Sequence, residues 1–167
     1  GKSSSPPSPS PSEKCSEPCK VKYTPCQPIF SQDLITNIKD QTKLVKVVYV
    51  SAWRIQGTFS EWKKHFELLI QAGYNVIIIS FIPQSDLKLN IPNWDILTCD
   101  EKAQLKNLLI KSNVVLLLSI GGGAAPHPSP FPGTNSNCMF NWIDLKDNSD
   151  NYVAKYAYDQ LFDGIDF

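Results

Sequence analysis

Three runs of nearly continuous apolar, largely β-branched residues constrain this chain most: Leu44–Val50 (LVKVVYV), Tyr74–Ile82 (YNVIIISFI) and Val114–Ser119 (VVLLLS). A strand with one wet face alternates polar and apolar residues. A strand that does not alternate is covered on both faces, which is the pattern of parallel strands joined by crossover helices. The β-branched content favours strand over buried helix at this length. A fourth segment, Leu161–Phe167 (LFDGIDF), reads as another strand.

Helical patterns separate these runs. Ser31 is placed to cap a short helix carrying Leu34, Ile35 and Ile38 on one face. Ser60 is placed to cap a second helix carrying Trp62, Phe66, Leu69 and Ile70 at helical spacing, stopped by Gly73. Thr98-x-x-Glu101 is a capping box opening a third, with Leu105, Leu108 and Leu109 inward. A fourth fits roughly 151–160. The order β-α-β-α-β-α-β defines an α/β chain with about four parallel strands. Physics alone leaves two architectures, an open doubly wound sheet or half of a TIM (β/α)8 barrel. In both, ligands bind at the C-terminal ends of the strands.

The head of the chain is different. Residues 3–12 are all Ser or Pro, ten in a row. Such a tract buries no core and favours extended polyproline II, so residues 1–14 read as a disordered linker or an O-glycosylated stalk. The start at Gly1-Lys2 reads as a mature product or an internal piece. Residues 15–43 form a Cys-bearing lead-in with a short helix. Five cysteines are present: Cys15, Cys19, Cys26, Cys99 and Cys138. Their spacing has no CxxC pair, so no metal site is expected. An oxidising, extracellular or secreted setting with disulfides is the reading. Cys99 and Cys138, on loops at one end of the sheet, are the expected pair, with the head cysteines pairing among themselves. Lys plus Arg (16) equals Asp plus Glu (16), which argues against a nucleic-acid partner. No apolar run approaches the roughly 18 residues of a membrane span.

The strand ends collect Tyr49, Ser51 and Trp53, then Ser80 and Phe81, then Ser119 with Gly121-Gly122-Gly123, then Asp163 and Asp166. Trp94 and Trp142 lie in the two long loops. Aromatic faces and carboxylates with few cations suit sugars. The three tryptophans either stack on sugar or cover the end of the sheet. The triple glycine is not a phosphate loop: no Lys-Ser/Thr follows, and Pro126, Pro128, Pro130 and Pro132 stand where a helix would start. No cofactor is therefore expected. His65 lies mid-helix beside Lys64, a solvent-facing position, and His127 sits among prolines. On composition alone Asp163 and Asp166 read equally as caps or turn formers, their side chains on opposite faces of the strand.

Ser119-Ile120-Gly121-Gly122 followed on the next strand by Asp163-Gly164-Ile165-Asp166-Phe167 resembles glycoside hydrolase family 18, whose signatures are SxGG and DGxDxDxE. That family holds chitinases, endo-N-acetylglucosaminidases and chitinase-like lectins. The form SIGGG with FDGIDF is most similar to the hevamine-like chitinases. The resemblance covers 44–167 and not the head. It implies the N-terminal half of a TIM barrel, about 124 residues against the typical ~250, ending within strand four.

The resemblance further implies site roles. Tyr49 and Phe81 line the sugar subsite, with a non-proline cis bond at Ser80–Phe81. The Gly122 backbone faces the sugar, and Trp53 joins the substrate-binding set. Asp163 and Asp166 support the catalytic pair. The third Asp of the signature falls one residue past Phe167 and the general acid Glu three past it. In this family the substrate's own N-acetyl oxygen attacks the anomeric carbon. The implied partners are chitin or N-acetylglucosamine oligosaccharides, for a full-length parent enzyme. Residues 1–167 alone, lacking the proton donor, are expected to be inactive. A non-catalytic lectin, or a structural subunit of a glycan-coated extracellular assembly, is the alternative. Half a barrel leaves two sheet edges open, so self-association belongs to the same reading.

Overall fold

The four apolar segments form one parallel sheet in the computed structural model, which describes residues 24–40, 42–82, 91–120 and 153–166. The elements in chain order are α1 (Gln32–Lys39), β1 (Val47–Ser51), a 3-10 turn (Ala52–Arg54), α2 (Phe59–Gln71), β2 (Val76–Ile82), α3 (Cys99–Lys111), β3 (Val115–Ile120), α4 (Val153–Asp159) and β4 (Gly164–Asp166). The sheet order is β1-β2-β3-β4. Val47, Val76 and Val115 stand level, as do Leu117 and Gly164 on β3 and β4. The order never reverses, so these strands form no switch-point crevice of the doubly wound kind.

The two faces of the sheet are covered differently. One packs Ile77, Ile79, Leu116 and Leu118 against Trp62 and Phe66 of α2, Leu105 and Leu109 of α3, and Tyr156 of α4. The other packs Val76, Ile78 and Val115 against Leu34 of α1. The central strands β2 and β3 are thus buried on both sides, which is why their runs do not alternate.

The caps explain the helix limits. The Ser31 Oγ accepts from the Leu34 amide at 3.2 Å. The expected Ser60 cap is corrected: Thr58 is the cap of α2, its Oγ1 accepting from the Glu61 amide at 3.3 Å. Thr58 precedes the first helical residue and reaches the third, whereas Ser60 already lies inside the first turn. The Thr98–Glu101 capping box forms in both directions, at 3.1 and 3.0 Å. At the other ends, α2, α3 and α4 close with the same pair of hydrogen bonds. They run from Gly73 and Tyr74 back to Ile70 and Leu69, from Asn113 and Val114 to Ile110 and Leu109, and from Leu161 and Phe162 to Tyr158 and Ala157. This Schellman closure requires a left-handed residue, which is Gly73 (φ 85°), Asn113 (φ 55°) and Leu161 (φ 70°). Leu161 and Phe162 are thereby consumed in ending α4, so β4 starts at Gly164 rather than at 161.

The expected Cys99–Cys138 pairing is also corrected. Cys99, the first residue of α3, is disulfide-bonded to Cys26, with Cα atoms 5.3 Å apart. The Cys26 amide donates to the Asp159 carbonyl at 2.9 Å, which lays the lead-in segment against α3 and α4. Spacing along the chain carries no trace of that approach. Cys15, Cys19 and Cys138 lie outside the described residues, as do the Ser/Pro tract, Gly122, His127, Trp142 and Phe167. Trp94 is fully buried between Trp62, Phe66 and Phe162. It is a core residue and presents no face to a ligand. His65 is half-buried rather than fully solvent-facing.

Candidate functional site

At the C-terminal end of the sheet, on the face opposite α2–α4, four strands bring polar and aromatic side chains together. Tyr49 of β1 shares a sheet face with Ile78, Leu117, Ser119 and Asp166, because parallel neighbours in register point the same way and alternate residues repeat. The Asp166 Oδ2 accepts two hydrogen bonds, from the Ser119 Oγ at 2.7 Å and from the Tyr49 hydroxyl at 3.0 Å. Ser119 is buried, whereas Tyr49 is 53% exposed. The carboxylate is thus anchored from below and offers a tyrosine face to solvent. Donating to Asp166 raises the Tyr49 pKa above the ordinary phenol range, since ionisation would lose that bond and set two negative charges together.

Phe81 completes the group. By strict alternation it belongs to the opposite face. The β2–β3 register shifts between Ile79 and Ile82, and Phe81 lies with its ring 6.1 Å from that of Tyr49, the planes 29° apart. The Ser80–Phe81 peptide is cis, as the resemblance implies. Ser80 is buried, its Oγ donating to the Val50 carbonyl at 3.2 Å. Trp53, 65% exposed, sits on the 3-10 turn that follows β1.

Asp163 is not part of this group. Its Oδ2 accepts from the Leu116 amide at 2.9 Å, and its Oδ1 forms an ion pair with Lys106 of α3. Asp163 therefore faces the helical layer, where Ile165 also packs, while Asp166 faces the rim. Burial pushes the Lys106 pKa down, and the neighbouring Asp163 charge and hydrogen bond oppose that push.

Sequence reasoning passed over Lys106, although a signal was present. Lys102, Leu105, Lys106 and Leu109 fall at the i, i+3, i+4, i+7 spacing of a buried stripe. All four are buried. Two lysines in such a stripe must find partners inside. Lys106 finds Asp163. Lys102 donates to the Gln160 Oε1 at 2.6 Å.

Chemically, the rim offers a stacked aromatic pair, one fixed carboxylate and a hydroxyl. That set hydrogen-bonds and stacks on a polar, flat-faced ligand. Among the described residues no group of three or more His, Cys, Asp and Glu is arranged to hold a metal ion, and no helix is long and apolar enough to cross a membrane. No known protein family, curated protein or solved structure matches the chain.

Proposed function

We propose that residues 44–167 are the N-terminal half of a family 18 type (β/α)8 barrel and that its rim binds β-1,4-linked N-acetylglucosamine chains outside the cell. One observation carries the reading: Tyr49, Ser119 and Asp166, from three strands, meet on one carboxylate oxygen beside Phe81. The unreversed strand order and the placing of α2–α4 on a single face support the barrel. Tyr49 and Phe81 present flat apolar surface to a sugar ring. Asp166, held by Ser119, orients the polar substituents of the bound residue.

Substrate-assisted retaining hydrolysis further requires the family's general acid, which the resemblance puts three residues past Phe167. Among the described residues the rim carries one carboxylate, already hydrogen-bonded twice, and binding is the activity proposed for it. The exposed Tyr49 and Phe81 faces favour, as a second reading, a non-catalytic chitinase-like lectin or a structural subunit of a glycan-coated extracellular assembly.

A calorimetric titration with chitin oligosaccharides tests the proposal. Binding is expected, weakened at least tenfold by Tyr49→Ala, about 1.4 kcal/mol. Cello-oligosaccharides, which lack the acetamido group, bind more weakly. No heat at ligand concentrations near 1 mM would sink the reading.

A further inference from the structure

Residues 24–30 precede α1 in the chain, yet they lie on the side of the sheet that α1 does not cover. They are tied there at several points. Cys26 is bonded to Cys99 at the start of α3, and its amide donates to the Asp159 carbonyl at 2.9 Å. The Thr24 carbonyl accepts from the Gln160 Nε2 at 3.2 Å. The Phe30 and Tyr158 rings are 5.2 Å apart.

The Thr24 tie ends on Gln160, beside Asp159 and two residues after Tyr158. Gln160 is 1% exposed. Its side-chain oxygen accepts from Lys102, and its carbonyl accepts from the Trp94 indole at 3.2 Å. Gln160 also opens the turn that leads through left-handed Leu161 to Asp163 and β4. A leucine in that conformation is held only by its surroundings. β4 itself is short: three register pairs hold it to β3, against five between β1 and β2. It carries Asp166.

We propose that the Cys26–Cys99 disulfide is a redox-sensitive brace, which fixes the α4–β4 turn through Gln160 and so holds Asp166 against Tyr49 and Ser119. A dithiol reductant opens it. One thiolate of the reductant attacks a sulfur of the disulfide, forming a mixed disulfide and releasing the other cysteine as thiolate. The second thiol of the reductant then displaces the mixed disulfide. The reductant leaves oxidised by two electrons, and Cys26 and Cys99, after protonation, are both thiols. Cys99 is partly accessible to the reagent, whereas Cys26 is buried. With the bond open, the segment loses its covalent tie and keeps hydrogen bonds such as those of Cys26 and Thr24 and the half-exposed Phe30–Tyr158 ring pair. The Gln160 side-chain amide then loses the fixed Thr24 carbonyl, and β4 opens locally ahead of the rest of the sheet.

The test is native-state hydrogen exchange on the full 167-residue chain carrying Cys15→Ser, Cys19→Ser and Cys138→Ser. Cys26 and Cys99 are then its only cysteines. Amides 162–166 are compared with those of Ile77 and Ile79 in β2, before and after dithiothreitol. Comparing the two strands removes the uniform loss of stability that any broken disulfide brings. On reduction, amides 162–166 should exchange at least tenfold faster relative to β2, by an opening insensitive to low denaturant. The Tyr49 titration should move down at the same time, as its bond to Asp166 is lost. Equal acceleration of β2 and β4, outright unfolding, or a change confined to residues 24–30 would each overturn the brace. The readout is independent of any sugar, so failure of the carbohydrate reading leaves it intact.

Discussion

The Lys106 ammonium and the Asp163 carboxylate form an ion pair in the interior, with side chains 0% and 2% exposed. It joins α3 to the residue just ahead of β4. Taking two charges out of water is expensive, and removing one partner leaves the other uncompensated.

Asp163→Ala should therefore destabilise the fold by about 3–5 kcal/mol, read as a lowered urea midpoint. Adding Lys106→Met to that variant should restore part of the loss, because the stranded ammonium is replaced by an apolar chain. A double variant no more stable than Asp163→Ala alone would count against a buried charge pair.

Tyr49 titrates high because its hydroxyl donates to Asp166. Asp166→Asn removes the negative charge and should bring the Tyr49 pKa down toward the ordinary phenol range. Ring resonances of Tyr49 followed by NMR against pH measure it. An unmoved titration would mean that the two groups do not meet in solution.

Asp95 has its pKa raised, chiefly by burial, against the opposing effects of the Tyr156 hydroxyl, the Ile91 amide and the Lys102 charge. The folded state therefore holds this proton more tightly than the unfolded chain does. The stability it contributes is full below the unfolded value of about 4 and is lost as pH rises through the raised folded value. Asp95→Asn should flatten that downward slope, measured as urea stability at a series of pH values. A slope unchanged by the substitution would assign the proton to another group.

The Cys26–Cys99 disulfide spans a sequence separation of 73 residues. In the chain-entropy account a loop of that length contributes about 4 kcal/mol. Cys26→Ser should lower stability by about that amount under oxidising conditions. A urea midpoint equal to that of the unsubstituted protein would show that the link does not constrain the unfolded chain.

Much of the fold was legible in the residues. The three apolar runs each form a strand, the second and third covered on both faces, and Thr98-x-x-Glu101 marks a helix start that the structure realises bond for bond. Such signals are local: they depend on which residues lie within one turn or one strand of each other. The start of α2 is the exception: the pattern points to Ser60, and the cap is Thr58, two residues earlier.

The residues alone determined an α/β chain and the strand ends as the place for polar and aromatic groups. Tertiary structure alone decided the rest. It set Asp163 and Asp166 to separate tasks, one against Lys106 and the other against Tyr49 and Ser119. It buried Trp94, turned Phe81 toward Tyr49 through a register shift, and joined Cys26 to Cys99. Each of these depends on groups distant in the chain meeting in space, and the free energy that selects them comes from burial and charge pairing that no local pattern records.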